Sequence, residues 1–390
     1  MKKTNPHRPF TDRETAWMKR ALRLAARGLG QTSPNPMVGA VLVRNGRIVG
    51  AGYHRYNQRL HAEIVALQQA GPRARGATLY VTLEPCSHQG RTPPCADALA
   101  GAGVAGVVAA MTDPSAKVGG RGFGRLRRAG IPVRVGLLEA QAQRLNEAFI
   151  HFTTAGRPLV VLKTAMTLDG RIATATGQSR WITSQRARRL GQRWRLAADA
   201  ILVGSGTIIK DDPALSYRLR QPRVRPLIKV VLDGRLRTPV SARVLDRSRG
   251  ETCLIFCSKS APASRRKSLE AAGAEVVSVD SKRGMLDLES VLVELGRRQV
   301  TSLLVEGGGQ AHWSFVRAGL AGKLVAVIAP AILGGGAVAA VGGAGFSRLE
   351  DAARLSDLRV RRLGDEIVVE GYFKVGNQNV APAARPVAFS

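Results

Sequence analysis

The spacing of apolar positions changes several times along the first 155 residues, and each change marks an element. Between residues 13 and 29, Trp17, Ala21, Leu24 and Ala25 recur at helical spacing and share one face. Residues 38–53 read as two apolar strands around Asn45-Gly46, the dipeptide favoured in a tight type I′ hairpin turn. The run "HAEIVALQQAG" predicts a helix whose first turn carries His61 and Glu63 and whose end is marked by Gly71. Strands at 77–83, 104–110 and 131–135 then alternate with helices at 95–103 and near 121–129. The pattern is that of a small α/β layered domain.

Residues 139–158 read as one helix ending in Gly156-Arg157-Pro158, a stop signal that makes this stretch the expected seam between domains. Beyond it, strands are expected from 159 and then at 200–204, 226–233, 252–257, 275–279, 301–306 and 323–329, with helical patterns between most of them. Such alternation favours a mainly parallel sheet covered on both faces. The expected organisation is therefore residues 1–155, residues 156–375, and a loose polar tail over 376–390.

A chain of 390 residues is long enough for two domains with separate cores. No apolar run approaches the roughly 18 residues of a membrane span, and the basic N-terminus lacks the apolar stretch of a secretory signal. Four cysteines do not make a disulfide scaffold, so a cytoplasmic setting is expected. The formal net charge is +31, with 22 basic and 8 acidic residues up to residue 155 and 37 and 20 after it. A polyanionic partner would suit that charge. Yet no dense basic run interleaved with aromatics appears, so a lineage-wide arginine bias with mostly solvated side chains is the simpler account. Nucleic acid is not the expected partner, and homo-oligomerisation stays open.

The chemistry concentrates at His61-Ala62-Glu63 and at "EPCSHQGRTPPC", residues 84–95. Zinc prefers four nitrogen and sulfur ligands, and a catalytic site leaves one position to water. His61, Cys86 and Cys95 are three such ligands. Glu63 sits near enough to take a proton from that water and pass it to a leaving amine. The deaminase pattern H-x-E then P-C-x-x-C is met by His61, Glu63, Pro85 and Cys86, but Gln89 breaks the short cysteine spacing. A closed site with His88 as fourth ligand would leave Glu63 without a role. Cys253 and Cys257 lie in an apolar strand pattern and read as buried inert thiols.

"TLEPCSHQGRTPPC", with "SPNPMVGAVLV" (33–43) and "GYH" (52–54), resembles the riboflavin-biosynthesis pyrimidine deaminases, in which such an insert separates the two cysteine ligands. "KTAMTLDGRIAT" (163–174), "SRWIT" (179–183), "KDDPALSYR" (210–218) and "LLVEGGG" (303–309) resemble the reductase domain of the same bifunctional family. The resemblance spans roughly residues 13–373. It implies a cytidine-deaminase-like α/β domain followed by a dihydrofolate-reductase-like α/β domain. It also implies one zinc ion, NADPH as hydride donor, and a small phosphorylated pyrimidine as substrate.

Carried over position by position, the resemblance gives nicotinamide-cofactor contacts to Ala165, Trp181, Thr207, Asp211 and the segment Gly308, Gly309, Gln310, Ala311, His312, Trp313 and Ser314. It gives substrate contacts to Ser179, Arg195, Leu215, Arg218 and Glu306. Arg195 and Arg218 suit a phosphate, which a guanidinium binds through paired hydrogen bonds. Lys163 and Glu306 are polar residues on apolar strands; they could position the ribose without a metal, or Lys163 could simply snorkel at a strand end. Gly234 departs from the polar residue common in the family.

Overall fold

The computed structural model describes residues 8–375 and 378–379, apart from 59, 89–92, 117, 222, 249 and 283. The Gln89–Thr92 stretch of the cysteine insert, and nearly all of the expected tail, therefore lie outside the described residues. The chain divides into two compact units, 1–154 and 155–390.

In the first unit, α1 (Asp12–Ala25) is opened by a reciprocal cap. Thr11 accepts from the Glu14 N–H, and the Glu14 carboxylate accepts from the Thr11 N–H. Strands β1 (Gly39–Arg44) and β2 (Arg47–Tyr53) form the hairpin expected at Asn45-Gly46, both residues having positive φ as a type I′ turn requires. There follow α2 (Ala62–Ala70), β3 (Thr78–Val81), α3 (Cys95–Gly101), β4 (Gly106–Ala109), α4 (Arg121–Arg128), β5 (Val133–Val135), α5 (Glu139–Leu145) and α6 (Glu147–Ala155). The sheet order is β2-β1-β3-β4-β5, antiparallel up to β3 and parallel from β3 to β5.

Alternate strand residues supply two cores, as the period of two demands. Leu42, Leu79 and Val81 face α2, α3 and α4, while Val41, Val43 and Tyr80 face α1, α5 and α6. Gly50 and Gly52 let β2 approach α2 closely, because a Cβ at either would collide with the Ala66 or Ala62 carbonyl. The helix expected over 139–158 is in fact two. It breaks at Asn146, whose side-chain amide pairs with both backbone groups of Met37, at 2.7 and 3.0 Å. A buried amide that satisfies a distant loop interrupts a helix that periodicity alone would continue.

The second unit runs through β6 (Leu159–Thr167), β7 (Arg171–Ala173), α7 (Gln185–Ala197), β8 (Ala200–Gly204), α8 (Ser205–Asp211), β9 (Ile228–Leu232), β10 (Thr252–Ser258), α9 (Ala263–Ala271) and β11 (Ala274–Val279). It continues with β12 (Ser281–Lys282), β13 (Met285–Leu286), α10 (Leu288–Arg297), β14 (Ser302–Val305), α11 (Gly309–Arg317), β15 (Lys323–Ala329), β16 (Val338–Ala339), β17 (Leu355–Leu363), β18 (Glu366–Val375) and β19 (Gln378–Asn379). The main sheet is ordered β11-β10-β9-β8-β14-β6-β15-β18-β17. From β11 to β15 every pairing is parallel; β18 and β17 close the edge antiparallel. The parallel strands were legible as apolar runs. The closing hairpin was not, because β17 is largely solvent-exposed and carries Arg359, Arg361 and Arg362.

Part of the arginine excess has structural work beyond a solvated surface. Helix carbonyls in the last turn lack intrahelical donors. Arg223 donates to the carbonyls of Arg195, Leu196 and Ala198 at the end of α7, each at 2.8 Å. Arg225 does the same for Gln299 and Arg298 beyond α10. Arg73 does it for Gln69 and Ala70 at the end of α2.

Candidate functional site

The first site forms where α2 and α3 begin. His61 is the N-cap residue of α2, Cys95 opens α3, and Cys86 lies on the loop between β3 and α3. One donor atom from each falls within 4.8 Å of the others. The His61 Nδ1 lies 3.2 Å from the Cys95 Sγ and 3.5 Å from the Cys86 Sγ. Ligands about 2.0–2.3 Å from a tetrahedral zinc stand roughly 3.5–3.8 Å apart, so these three fit one face of such a site. His88, the alternative fourth ligand, is exposed and outside this cluster. Cys253 and Cys257 are free, buried thiols in the core of the second unit.

Electrostatics follow the geometry. Glu63, on the first turn of α2, is only 3% exposed, and burial pushes its carboxyl up to about 7 against the opposing pull of His61. The Cys95 hydrogen bond and the His61 ring draw the Cys86 thiol down to about 4, and the same shared proton pushes Cys95 up. A proton shared between two thiols is what a divalent cation would displace.

Two supporting residues lie inside motifs quoted from the sequence, yet only the tertiary structure gives them a role. Buried Glu84 accepts from the N–H groups of Asp113, Gly120, Gly122 and Phe123, at 2.8–3.2 Å, and so ties the residue before Pro85-Cys86 to the start of α4. Its signal was an acid closing an apolar strand directly before Pro-Cys. His54 lies edge-on to His61, its ring between the Asn35 amide (3.1 Å) and the Leu60 carbonyl (2.9 Å). Burial holds the His54 ring below its ordinary pKa, which keeps it neutral at neutral pH. Asn35 lies within "SPNPMVG".

The second site is a cavity of about 1230 Å³ in the second unit, above the ordinary range for one small ligand. It is walled by the strand–helix junctions β8–α8 and β14–α11, the turn after β9, and the β12–β13 hairpin. Thr207, Asp211, Gly308, Gly309, Gln310, Ala311, Trp313, Ser314, Ser179 and Glu306 line it. Gly309 is required, since a Cβ there would collide with the Ala339 carbonyl. Gly204 and Gly206 make a second glycine-rich junction on the wall, a signal in "VGSGT" as plain as that of "EGGG". Gly234 is on the wall too, and a Cβ there would meet Leu286 only at 3.7 Å.

The remaining expected residues are not on that wall. Trp181 is 68% exposed with the Arg188 guanidinium 4.1 Å above its ring. His312 is buried, its ring nitrogens 3.0 and 3.2 Å from the carbonyls of Ala340 and Val305. Leu215 is buried with φ +50°, Ala165 is half-buried on β6, and Arg218 is exposed, its backbone N–H held by Gln192. Arg195 differs most from expectation. Its Nε and Nη2 grip both Glu306 oxygens at 2.9 and 2.7 Å, and its Nη1 donates to the Ser216 carbonyl. Burial alone would raise the Glu306 carboxyl, but Lys163 (Nζ at 3.9 Å) and Arg195 hold it near 2. The fork that suits a phosphate is here closed on a carboxylate.

Residues 11–111 match the cytidine and deoxycytidylate deaminase zinc-binding region, and residues 158–369 match the RibD C-terminal domain. The chain belongs to the RibD family of riboflavin biosynthesis proteins. The RibD protein of Aquifex aeolicus is 42% identical over 358 residues, covering 92% of this chain and 97% of that one. RibD of Escherichia coli K12 is 41% identical over 365 residues, covering 90% and 97%. Among solved structures, Acinetobacter baumannii RibD superposes with a TM-score of 0.81 at 36% identity, covering 93% of this chain and 99% of that one. A Thermotoga maritima diaminohydroxyphosphoribosylaminopyrimidine deaminase/5-amino-6-(5-phosphoribosylamino)uracil reductase gives 0.79 at 35%, with the same coverage. As a RibD protein, the chain joins a zinc-binding deaminase domain to a reductase domain and serves riboflavin biosynthesis. No helix among the described residues is long and apolar enough to cross a membrane.

Proposed function

We propose that the first unit hydrolytically deaminates 2,5-diamino-6-(5-phosphoribosylamino)pyrimidin-4(3H)-one, and that the second reduces the ribosyl side chain of the product to ribityl with NADPH. One observation carries the reading of the first half: three metal-type donors converge beside a buried carboxyl that is not one of them. In this reading His61, Cys86 and Cys95 would hold one zinc ion, which when bound would supply Lewis acidity toward the water that attacks the ring carbon. Glu63 takes the proton that water gives up and returns it to the departing amine. A carboxyl poised near 7 can do both at neutral pH.

In the second unit the cavity wall supports a dinucleotide. Gly308 and Gly309 open α11, where backbone N–H groups favour a phosphate, and Thr207, Asp211, Gln310, Trp313 and Ser314 complete the wall. Glu306 and Ser179 face the same space and orient the ribosyl group. Arg195 acts by fixing Glu306, leaving exposed Arg218 as the candidate for the substrate phosphate. Ala165, Trp181, His312 and Leu215 bear on the ligands through the backbone and loops that they brace. The four free cysteines accord with a cytoplasmic setting.

Purified protein supplied with the pyrimidine phosphate should release ammonia without NADPH, and should form the ribityl product only when NADPH is added. Ammonia release that needed NADPH, or reduction of a substrate not yet deaminated, would overturn the order. On this reading nucleic acid binds only weakly and loses affinity steeply with salt. Tight, sequence-selective binding at physiological salt would instead favour a nucleic-acid base deaminase.

A further inference from the structure

The cavity of the second unit has one wall that is poor in side chains. From Gly334 to Gly345 six of twelve residues are glycine, and Val338, Gly343 and Ala344 of that stretch face the cavity. Glycine-rich backbone loses the most conformational entropy when it is fixed, so such a wall needs anchors. On one side β16 pairs with β7, and the Ala340 N–H donates to the Gly170 carbonyl at 2.9 Å. On the other, α11 supplies the anchors. The Gly309 carbonyl accepts from the Gly342 N–H at 2.9 Å, and Trp313 packs edge-on to Phe346 with ring centres 5.0 Å apart. Gly343, at φ +78°, lies so close to Trp313 that a Cβ there would overlap the indole.

His312 adds an anchor of a different kind. Its Nδ1 faces the Ala340 carbonyl at 3.0 Å and its Nε2 faces the Val305 carbonyl at 3.2 Å. Ala340 belongs to the glycine-rich wall, whereas Val305 ends β14 and is followed by Glu306, which lines the same cavity. Both partners are acceptors. A neutral imidazole carries one N–H and serves one of them; the imidazolium serves both. The ring is only 4% exposed, so water does not replace the missing bond. Burial holds the ring below its ordinary pKa, with Lys163 acting the same way, while the two carbonyls and Glu306 pull it up. Glu306 is itself held by Arg195, and Arg171 on β7 is turned to the Ala337 carbonyl. The wall from Gly334 to Gly345 has no charged side chain, and α11 has only Arg317, exposed at its far end.

We propose that His312 is a positioning residue for the reduction: its ring draws the glycine-rich wall toward the strand end that carries Glu306, and the cavity closes fully on its dinucleotide only when the ring takes up a proton. The assignment rests on the reductase reading of this unit. A dinucleotide that binds the closed wall favours the imidazolium, and by linkage raises the pKa of the ring. The sign follows. The contribution to affinity is complete at acid pH and fades as pH rises through the pKa of the ring in the bound state. His312 is the only histidine after residue 155, so no other histidine of this unit supplies that dependence.

The test uses the full-length zinc-loaded chain, with NADP⁺ as the probe because the oxidised form withstands acid. Affinity is measured by calorimetry between about pH 5 and 8, where an ordinary histidine changes charge. His312→Asn keeps an amide donor where Nδ1 lies, within reach of Ala340, and does not titrate; His312→Leu keeps neither bond. Melting temperatures are recorded for all three proteins. The 2′-phosphate of the probe titrates in the same range in each of them, so the difference between wild type and His312→Asn isolates the ring. Wild type should gain about 3- to 10-fold in affinity at the acid end over the Asn variant, and the two should converge at the alkaline end. The Leu variant should bind about 10-fold more weakly than wild type even there, and its KM for NADPH should rise by more than its kcat falls. Identical pH dependence in wild type and a folded Asn variant would overturn the proposal. Should the variants not fold, wild type decides by itself. In nitrogen NMR of its histidine rings at about pH 6, saturation with NADP⁺ should turn one ring from neutral to imidazolium. A spectrum in which no ring changes its protonation would sink the idea equally. A chain that bound neither NADP⁺ nor NADPH at any pH would instead refute the reductase reading.

Discussion

The two sites of this chain are built by different means. In the first unit the chemistry lies in a few side chains held at short range: His61, Cys86 and Cys95 within 4.8 Å, with Glu63 buried beside them. In the second unit a cavity of about 1230 Å³ is lined largely by backbone and small residues at strand–helix junctions, and its Glu306 is locked in a pair with Arg195. A compact side-chain site concentrates its function, so one substitution should abolish it. A cavity of backbone contacts distributes its function, so single substitutions should shift affinity by degrees.

The largest effect is expected at the donors. Cys86→Ala or Cys95→Ala should release the zinc and remove deamination, while reduction of the deaminated intermediate persists because that unit has its own core. Metal analysis with both assays checks this, and unchanged zinc in both variants would rule the site out. Next comes Glu63→Gln, which should keep the zinc and lower deamination about 10²–10⁴-fold. Loss of metal in this variant would make Glu63 a ligand rather than a proton carrier.

The comparison sharpens in the second unit. Glu306→Gln leaves the buried Arg195 without its counter-charge and should destabilise that unit by about 3–5 kcal/mol in denaturant unfolding. Its pH signature has a definite sign. The folded carboxyl is depressed from 4.5 to about 2, so its contribution is present above pH 4.5 and fades as pH falls toward 2. The variant should lack that acid-side loss, and an identical pH dependence in both proteins would detach Glu306 from the stability of the unit.

Arg218→Ala should raise KM for the substrate of reduction about 10- to 150-fold, with NADPH affinity and deamination unchanged. A defect confined to NADPH would move the phosphate site elsewhere. The smallest effect is expected at Gly234, where a hydroxymethyl group fits against Leu286. Gly234→Ser should tighten NADPH binding, followed by fluorescence titration, by no more than about tenfold, since one neutral hydrogen bond contributes roughly 0.5–1.5 kcal/mol. Weakened binding would show that the wall tolerates no side chain there.

Much of this protein was decided by local sequence. Apolar periodicity located the parallel strands, Asn45-Gly46 the hairpin, and the His-x-Glu and cysteine segments the residues that cluster within 4.8 Å, because each rests on residue type and short-range spacing. Other features needed the tertiary structure. The break at Asn146 depends on Met37, 109 positions away, and the closure of Arg195 on Glu306 joins residues 111 apart. The edge hairpin β17–β18 is partly solvated, so no apolar alternation announces it. Even the charge changed meaning: Arg73, Arg223 and Arg225 close helix ends, which composition could not distinguish from a solvated surface. A side chain's type is written locally, but its hydrogen-bond partner is chosen by whatever the fold brings within three ångströms of it.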